Sequence, residues 1–353
     1  MKIAQIAPLY ESVPPRLYGG TERIVSYLAE ELVRMGHEVT LFASGDSVTS
    51  ARLVPACAQS LRLDPDCKDQ LVHHILLLER VFQRAEEFDV LHFHVDYLHF
   101  PWSRRNGYRH VTTLHGRLDL PDLVPLYREF SDMPVVSISN AQRRPLPWLN
   151  WQGTVYHGLP PDLLRPCERP GRYLAFLGRI SPEKRCDRAI EIARRAGMEL
   201  RIAAKVDAAD RDYFESVIRP LLSRPGVEYV GEIGEHEKQD FLGGAAALLF
   251  PIDWPEPFGL VMIEAMACGT PVIAWPCGSV PEVIDPGRTG FLCRTLEEAV
   301  RAVHDLPRLS RRGCRQVFER RFTARRMAQD YLRVYEGLTR RAEARPSGER
   351  AGT

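Results

Sequence analysis

The chain has 353 residues, above the size at which one hydrophobic core stops growing, so two domains of similar size are expected. Apolar residues make up 44% and charged residues 26%, an ordinary globular composition. The 47 basic and 46 acidic residues leave a net charge of +1, which argues against a general nucleic-acid binder.

The elements alternate from the start. KIAQIAPLY reads as a short apolar strand and ESVPPRLYGG as a Gly/Pro-rich loop. TERIVSYLAEELVRM reads as a helix with Ile24, Leu28, Leu32 and Met35 on one face. Thr21 is placed to cap its start and Gly36 to end it. EVTLFA, DVLHFH, HVTTLH and PVVSIS continue as short buried-type strands. The Pro-rich stretch HGLPPDLLRPCERPG (157–171) reads as an interdomain linker. Beyond it the pattern restarts: RYLAFLG is a strand, CDRAIEIARRAG a helix closed by Gly197, and ELRIAA, VEYVGEI, AALLF and PVIAW further strands. Such alternation predicts two doubly wound, Rossmann-like α/β domains, one over 1–160 and one over 161–320. A C-terminal helix is expected over 321–340, followed by a polar tail, 341–353, read as disordered.

The start MKIAQIAPLY is too short and too quickly polar for a signal peptide, and no apolar run reaches the ~18 residues of a membrane span. The eight cysteines form no C-x-x-C pair and read as free thiols of a reducing compartment, hence the cytoplasm.

Ligands of open α/β sheets bind outside the carboxyl ends of the strands, so the loops there are where chemistry is expected. WPEPFGLVMIEAMACGTPV (254–272) follows a strand and carries two carboxylates, Glu256 and Glu264, with seven residues between them. Pro257 keeps Glu256 extended, and a helix is expected from about Phe258–Gly259, with Glu264 in its second turn. The first amides, around Phe258, Gly259 and Leu260, form an anion site with the helix dipole. Carboxylates on either side of such a site suit hydroxyl groups, as in a sugar, a diphosphate and a ribose in line. An exposed Glu256 and a salt-bridged Glu264 explain the same residues. LGRISPEKR adds Arg179 and Lys184 after another strand, two cations able to neutralise a diphosphate without a metal, or solvated loop charges. Gly19 and Gly20 follow the first strand and allow backbone to approach a ligand, without being a dinucleotide fingerprint. In HFHVDYLH, the residues His92, His94 and Asp96 would share a strand face; a cleft-lining or structural role is preferred to a metal site. SISNAQRR would turn Ser139 and Arg143 or Arg144 toward the cleft, and Trp148 and Trp151 suit packing better than sugar stacking.

YGGTERIVSYLAEELVRMGHEVTLFA, TTLHG, GRISPEK, EPFGLVMIEAMACGTPVIA and GSVPEVI…GRTGFL, in this order along the chain, resemble the retaining glycosyltransferases of family 4 over about residues 1–340. The resemblance implies the GT-B fold, two Rossmann-like domains facing across an interdomain cleft. It also implies transfer of a hexosyl group from a nucleotide-diphosphate sugar, with retention and without cofactor or metal. By position, Glu264 would hold the ribose and Glu256 the sugar hydroxyls. Phe258, Gly259 and Leu260 would present amides, and Arg179 and Lys184 would bind the diphosphate. Gly20 would let the N-terminal loop close, His115 would reach the donor sugar, and Glu232 and Ile233 would lie near the base. The implied partners are the nucleotide-sugar donor and a carbohydrate, lipid-linked or small-molecule acceptor. No nucleic acid and no transmembrane segment are implied; peripheral membrane contact through the C-terminal arginines stays open. Arg185 and Ser279 stand where the family often has glycine. An epimerase on the same fold or a non-catalytic binder are the alternatives; the presence of Arg179, Lys184, Glu256 and Glu264 favours the transferase.

Overall fold

The computed structural model describes residues 1–16, 19–169 and 171–343. The chain divides into two compact units. Unit 1 comprises 1–138, 143–156 and the chain from Ala324 onward; unit 2 comprises Ser139–Gln142 and His157–Thr323.

Unit 1 is built on strands β1 (Lys2–Ile6), β2 (Glu38–Ser44), β3 (Arg52–Cys57), β4 (Val90–Phe93), β5 (His110–Thr113), β6 (Val135–Ser137) and β7 (Trp151–Thr154). They form one parallel sheet in the order β3-β2-β1-β4-β5-β6-β7. Unit 2 contains β8 (Tyr173–Arg179), β9 (Leu200–Lys205), β10 (Val227–Gly231), β11 (Ala245–Phe250), β12 (Val272–Ala274) and β13 (Gly290–Leu292), parallel in the order β10-β9-β8-β11-β12-β13. In each sheet the strand order reverses once, between β1 and β4 and between β8 and β11. Those are the switch points outside which α/β sheets bind ligands. Ile3, Ala4 and Ile6, or Leu174 and Ala175, are fully buried, as expected of strands covered on both faces.

The C-terminal helix, Ala324–Glu343, belongs to unit 1 and buries Met327, Ala328, Tyr331 and Tyr335 there. The tail expected to be disordered lies, from residue 344 on, outside the described residues.

Several expectations are corrected. β3, β7 and β13 are absent from the sequence reading, and all three are sheet edges. Edge strands are half-exposed and tolerate Pro55, so the apolar run that marks a buried strand is missing. Thr21 does not cap its helix, which begins at Gly20 with Gly19 at the cap and no side-chain bond. His94 lies just past β4, and Asp96 is left-handed at φ 50°, so His92, His94 and Asp96 do not share a strand face. The stretch from His157 is no free linker: Leu159 and Leu164 are buried in unit 2, and Arg315 donates to the Pro161 and Leu164 carbonyls.

Candidate functional site

The helix Leu260–Ala267 follows β11 and is apolar nearly all round: Met262, Ile263, Ala265, Met266 and Ala267 are buried, so it lies inside unit 2. Its start requires glycine. Gly259 caps it at φ 80°, and a Cβ there would stand 2.8 Å from the Met262 methyl. Its end is a Schellman turn, with Gly269 N–H donating to Met266 and Thr270 N–H to Ala265.

Glu264 is only 3% exposed. A lone buried carboxylate would be strongly destabilising, and Lys238, from the helix Glu235–Gly243, donates to it at 2.6 Å. That helix follows the loop holding the exposed Glu232 and half-buried Ile233, so the two predicted base-side residues enter the same part of unit 2 as Glu264. Lys238 was missed by sequence reasoning, since nothing local links it to position 264.

Glu256 takes two bonds on one carboxylate oxygen, from the Lys184 ammonium and from Trp254 Nε1 at 2.9 Å. Lys184 also lies over the Trp254 ring, 4.9 Å from its centroid. The two loops are joined through the backbone, Asp253 N–H donating to the Glu183 carbonyl. A third loop supports them. The Ser279 amide donates to the Glu256 carbonyl and its hydroxyl to the Phe258 carbonyl at 2.8 Å. Gly278, at φ 58°, packs so tightly that a Cβ would meet Glu256 backbone atoms at 2.3–2.4 Å. Serine at 279 is thereby explained, and Gly278 is a residue the sequence reading did not single out.

Arg179 is the last residue of β8 rather than a loop residue. It is ringed by carboxylates: Glu183 at 2.8 Å, Asp207 at 3.5 Å and Asp210 at 3.6 Å. Burial raises the pKa of Asp210, while at Asp207 the bonds from Lys205 and Arg179 outweigh burial and lower it. Arg179 ends β8 and Lys184 follows five residues on, each already paired with carboxylates.

In unit 1, a Cβ on Gly19 would meet Pro15 at 2.7 Å, and Gly20 opens the first helix. His115 follows β5, half-buried, with Nε2 2.9 Å from His94 Nδ1. Desolvation lowers its pKa. Ser139 is buried and accepts from the Gln142 amide; Arg143 donates to Ser137 and lies over the Trp151 ring, which packs into the unit 1 core, whereas Arg144 and Trp148 are exposed. All eight cysteines are free. Among the described residues, no group of three or more His, Cys, Asp or Glu is placed to hold a metal ion, and no helix is long and apolar enough to cross a membrane.

Two family models match the chain, Glycosyltransferase Family 4 over residues 18–177 and Glycosyl transferases group 1 over residues 168–311. The chain belongs to the group 1, family 4 glycosyltransferases. The alpha-maltose-1-phosphate synthase of Mycolicibacterium smegmatis is 34% identical over 137 residues, 37% of this chain and 34% of that protein. The chain spans about a third of the length of this and similar curated relatives. Among solved structures, sucrose-phosphate synthase from Thermosynechococcus elongatus matches with a TM-score of 0.77 at 19% identity, over 97% of this chain and 100% of that one. Anabaena HepE in complex with UDP-glucose matches with a TM-score of 0.70 at 19% identity, over 96% and 100%. Both are glycosyltransferase-type GT-B folds, and the two parallel sheets of this chain have that architecture.

Proposed function

We propose that this family 4 glycosyltransferase moves a hexosyl group from a nucleotide-diphosphate sugar to an acceptor hydroxyl, with retention of configuration and without a metal. The acceptor is a carbohydrate, a lipid-linked or a small-molecule alcohol. The observation that carries the reading is the row formed by Glu256 on Lys184, the glycine-capped start of the helix at Leu260, and the buried Glu264 about 6 Å further along its axis. Glu256 binds donor sugar hydroxyls, the first amides of the helix face phosphate, and Glu264 takes the ribose. Arg179 and Lys184 bind the diphosphate; Glu232 and Ile233 lie toward the base. A structural neighbour, Anabaena HepE, is seen with UDP and with UDP-glucose, which supports a donor of this class.

In this mechanism the bond from the anomeric carbon to the phosphate oxygen breaks, and the acceptor oxygen adds on the same face. Its proton passes to the departing phosphate. Charge separation is the demanding event, and Arg179, Lys184 and the helix start act on it by stabilising the phosphate. Arg179 must exchange carboxylates for phosphate. Partly exposed pairs of that kind contribute about 0–1 kcal/mol each, while a bidentate, charge-assisted bond to phosphate is stronger, so the exchange is favourable. The two glutamates are not an acid/base pair, because a nucleotide diphosphate leaves without a strong acid. The eight free thiols suit a cytoplasmic enzyme.

A thermal-shift screen against UDP-, GDP-, ADP- and dTDP-sugars tests the reading. At a hundredfold excess over Kd the true donor stabilises by about 2.7 kcal/mol, a rise of roughly 5–10 °C for domains of this size. A flat response to all four would sink the proposal. An inverted anomer in the product by NMR would refute retention. Loss of activity in EDTA, restored by a divalent ion, would refute metal independence.

A further inference from the structure

Exposed apolar side chains on a globular chain are ordinarily scattered singly. In unit 1 they gather on one helix, Gln70–Phe82. Asp69 caps its start, the carboxylate accepting from the Leu71 amide at 2.9 Å. One face of this helix is spent on the core. Leu77, Leu78 and Val81 are buried in a cluster with Phe42 and Phe93 of the sheet, and His74 Nε2 accepts from the Leu9 amide at 3.1 Å. The other face carries Leu71, Val72, Ile75 and Leu76, which are 54%, 52%, 39% and 49% exposed. At about 100° per residue the four share one arc of about 140°. A helix face turned to water is normally polar, so this one calls for a partner.

The charges are set symmetrically about this patch. Lys68 stands one residue before the cap, and Glu79 lies in the last turn in line with the apolar face; both are exposed. Residues 71 and 76, 72 and 75, and 68 and 79 all share one midpoint, between 73 and 74. A two-fold axis through that midpoint would set Leu71 against Leu76, Val72 against Ile75 and Lys68 against Glu79 of a second, antiparallel copy. Each charged pair would form twice, one at either end of a face about 17 Å long. Lys68 donates to the Pro65 carbonyl at 2.9 Å with one of its three N–H groups, and Glu79 accepts from the Gln83 side chain at 2.9 Å, so both heads keep capacity for a further bond.

We propose that the exposed face of the helix Gln70–Phe82 is the interface of a homodimer, in which the same helix of a second copy of this chain packs antiparallel across a two-fold axis. The proposal goes beyond the transferase reading and does not depend on it. A two-fold interface requires a self-complementary surface, and the shared midpoint of apolar and charged residues supplies one. Antiparallel helices at about 8–10 Å would take the four apolar side chains out of water. An anionic lipid surface is a poorer match, because interfacial helices carry mainly Lys and Arg beside their apolar face, whereas Asp69 and Glu79 stand here beside Lys68 and Arg80. An interface of one helix face is below standard size, so a Kd on the order of 10 μM is expected.

The test is analytical ultracentrifugation of the full-length chain from about 1 to 300 μM at low salt. A monomer–dimer equilibrium is expected. Ile75→Asp puts a charge beside the axis and is expected to leave monomer throughout. Lys68→Glu sets like charges against each other at both ends of the interface, as does Glu79→Lys, and each alone is expected to raise Kd about tenfold. Mixed in equal amounts, these two variants face each other with opposite charges at both ends, and their mixed dimer is expected to return to within about threefold of the wild-type Kd. The two charge variants alter only exposed heads and decide the matter should Ile75→Asp not fold. Monomer at every concentration overturns the proposal. So does a dimer indifferent to all three substitutions, because its interface then lies elsewhere. Mixing that restores nothing overturns the antiparallel pairing. A monomer that sediments with phosphatidylcholine–phosphatidylglycerol vesicles overturns the proposal in favour of a lipid surface. Turnover of a nucleotide-sugar, or its absence, bears only on the transferase reading.

Discussion

Arg185 sits at φ 56°, ψ 48°, the left-handed region, directly after Lys184 and at the cap of the helix Cys186–Ala196. A side chain there costs about 1–2 kcal/mol relative to the right-handed form, which glycine avoids. Arginine is tolerated because its guanidinium pairs with Asp187 at 2.9 Å and with Asp253 at 2.9 Å. These pairs are partly exposed and contribute roughly 0.2–1 kcal/mol each. Arg185→Ala therefore loses the pairs and keeps the strain. Arg185→Gly loses the same pairs and sheds the strain, less roughly 0.4–1 kcal/mol for the freer unfolded chain. The net expectation is that glycine is about 1 kcal/mol more stable than alanine, roughly 2–4 °C in the melting point of a domain of this size. Differential scanning calorimetry of the two variants decides it. Alanine melting at or above glycine would mean that residue 185 is not left-handed, and the account of why the family often places glycine there would fail.

Glu256→Gln is expected to lower kcat at least tenfold, because the carboxylate that holds Lys184, and in the proposed site the sugar, is gone; Glu264→Ala should chiefly weaken donor binding, read as KM in steady-state kinetics. Wild-type kinetics in both would refute the site. Asp207→Asn removes one of the charges that compete with phosphate for Arg179 and should tighten UDP binding about two- to fivefold by calorimetric titration; unchanged or weaker binding counts against Arg179 as a diphosphate ligand. Glu22 is buried, and desolvation above all raises its pKa to about 7. A carboxyl whose folded pKa is raised keeps its proton longer when folded, so its contribution worsens as pH climbs from about 4.5 to 7. Glu22→Gln should then melt higher than wild type at pH 8, by on the order of 2–3 kcal/mol, and equally at pH 4; the same difference at both pH values would refute the assignment.

The buried strands and the glycine-stopped helices could be read locally, since period, apolar runs and caps all lie within a few residues of one another. So could the helix that carries Glu264 after the loop of Glu256, because its start and stop lie close together in the chain. The edge strands β3 and β7 could not, because these half-exposed strands lack the apolar signal. Nor could the partners. Lys238 reaches Glu264 across 26 residues, and Gly278 is required by the backbone of Glu256. Gln5 carries no local signal of its partner; its bond to Tyr335 spans 330 residues. By itself the sequence determined the α/β class, the family and the order of the carboxylates and cations along the donor loops, because these depend on neighbours in the chain. Only the tertiary structure decided which charges are already paired, why Arg185 and Ser279 replace glycine, and which groups hold His115, because buried polar atoms must find partners wherever the fold brings them.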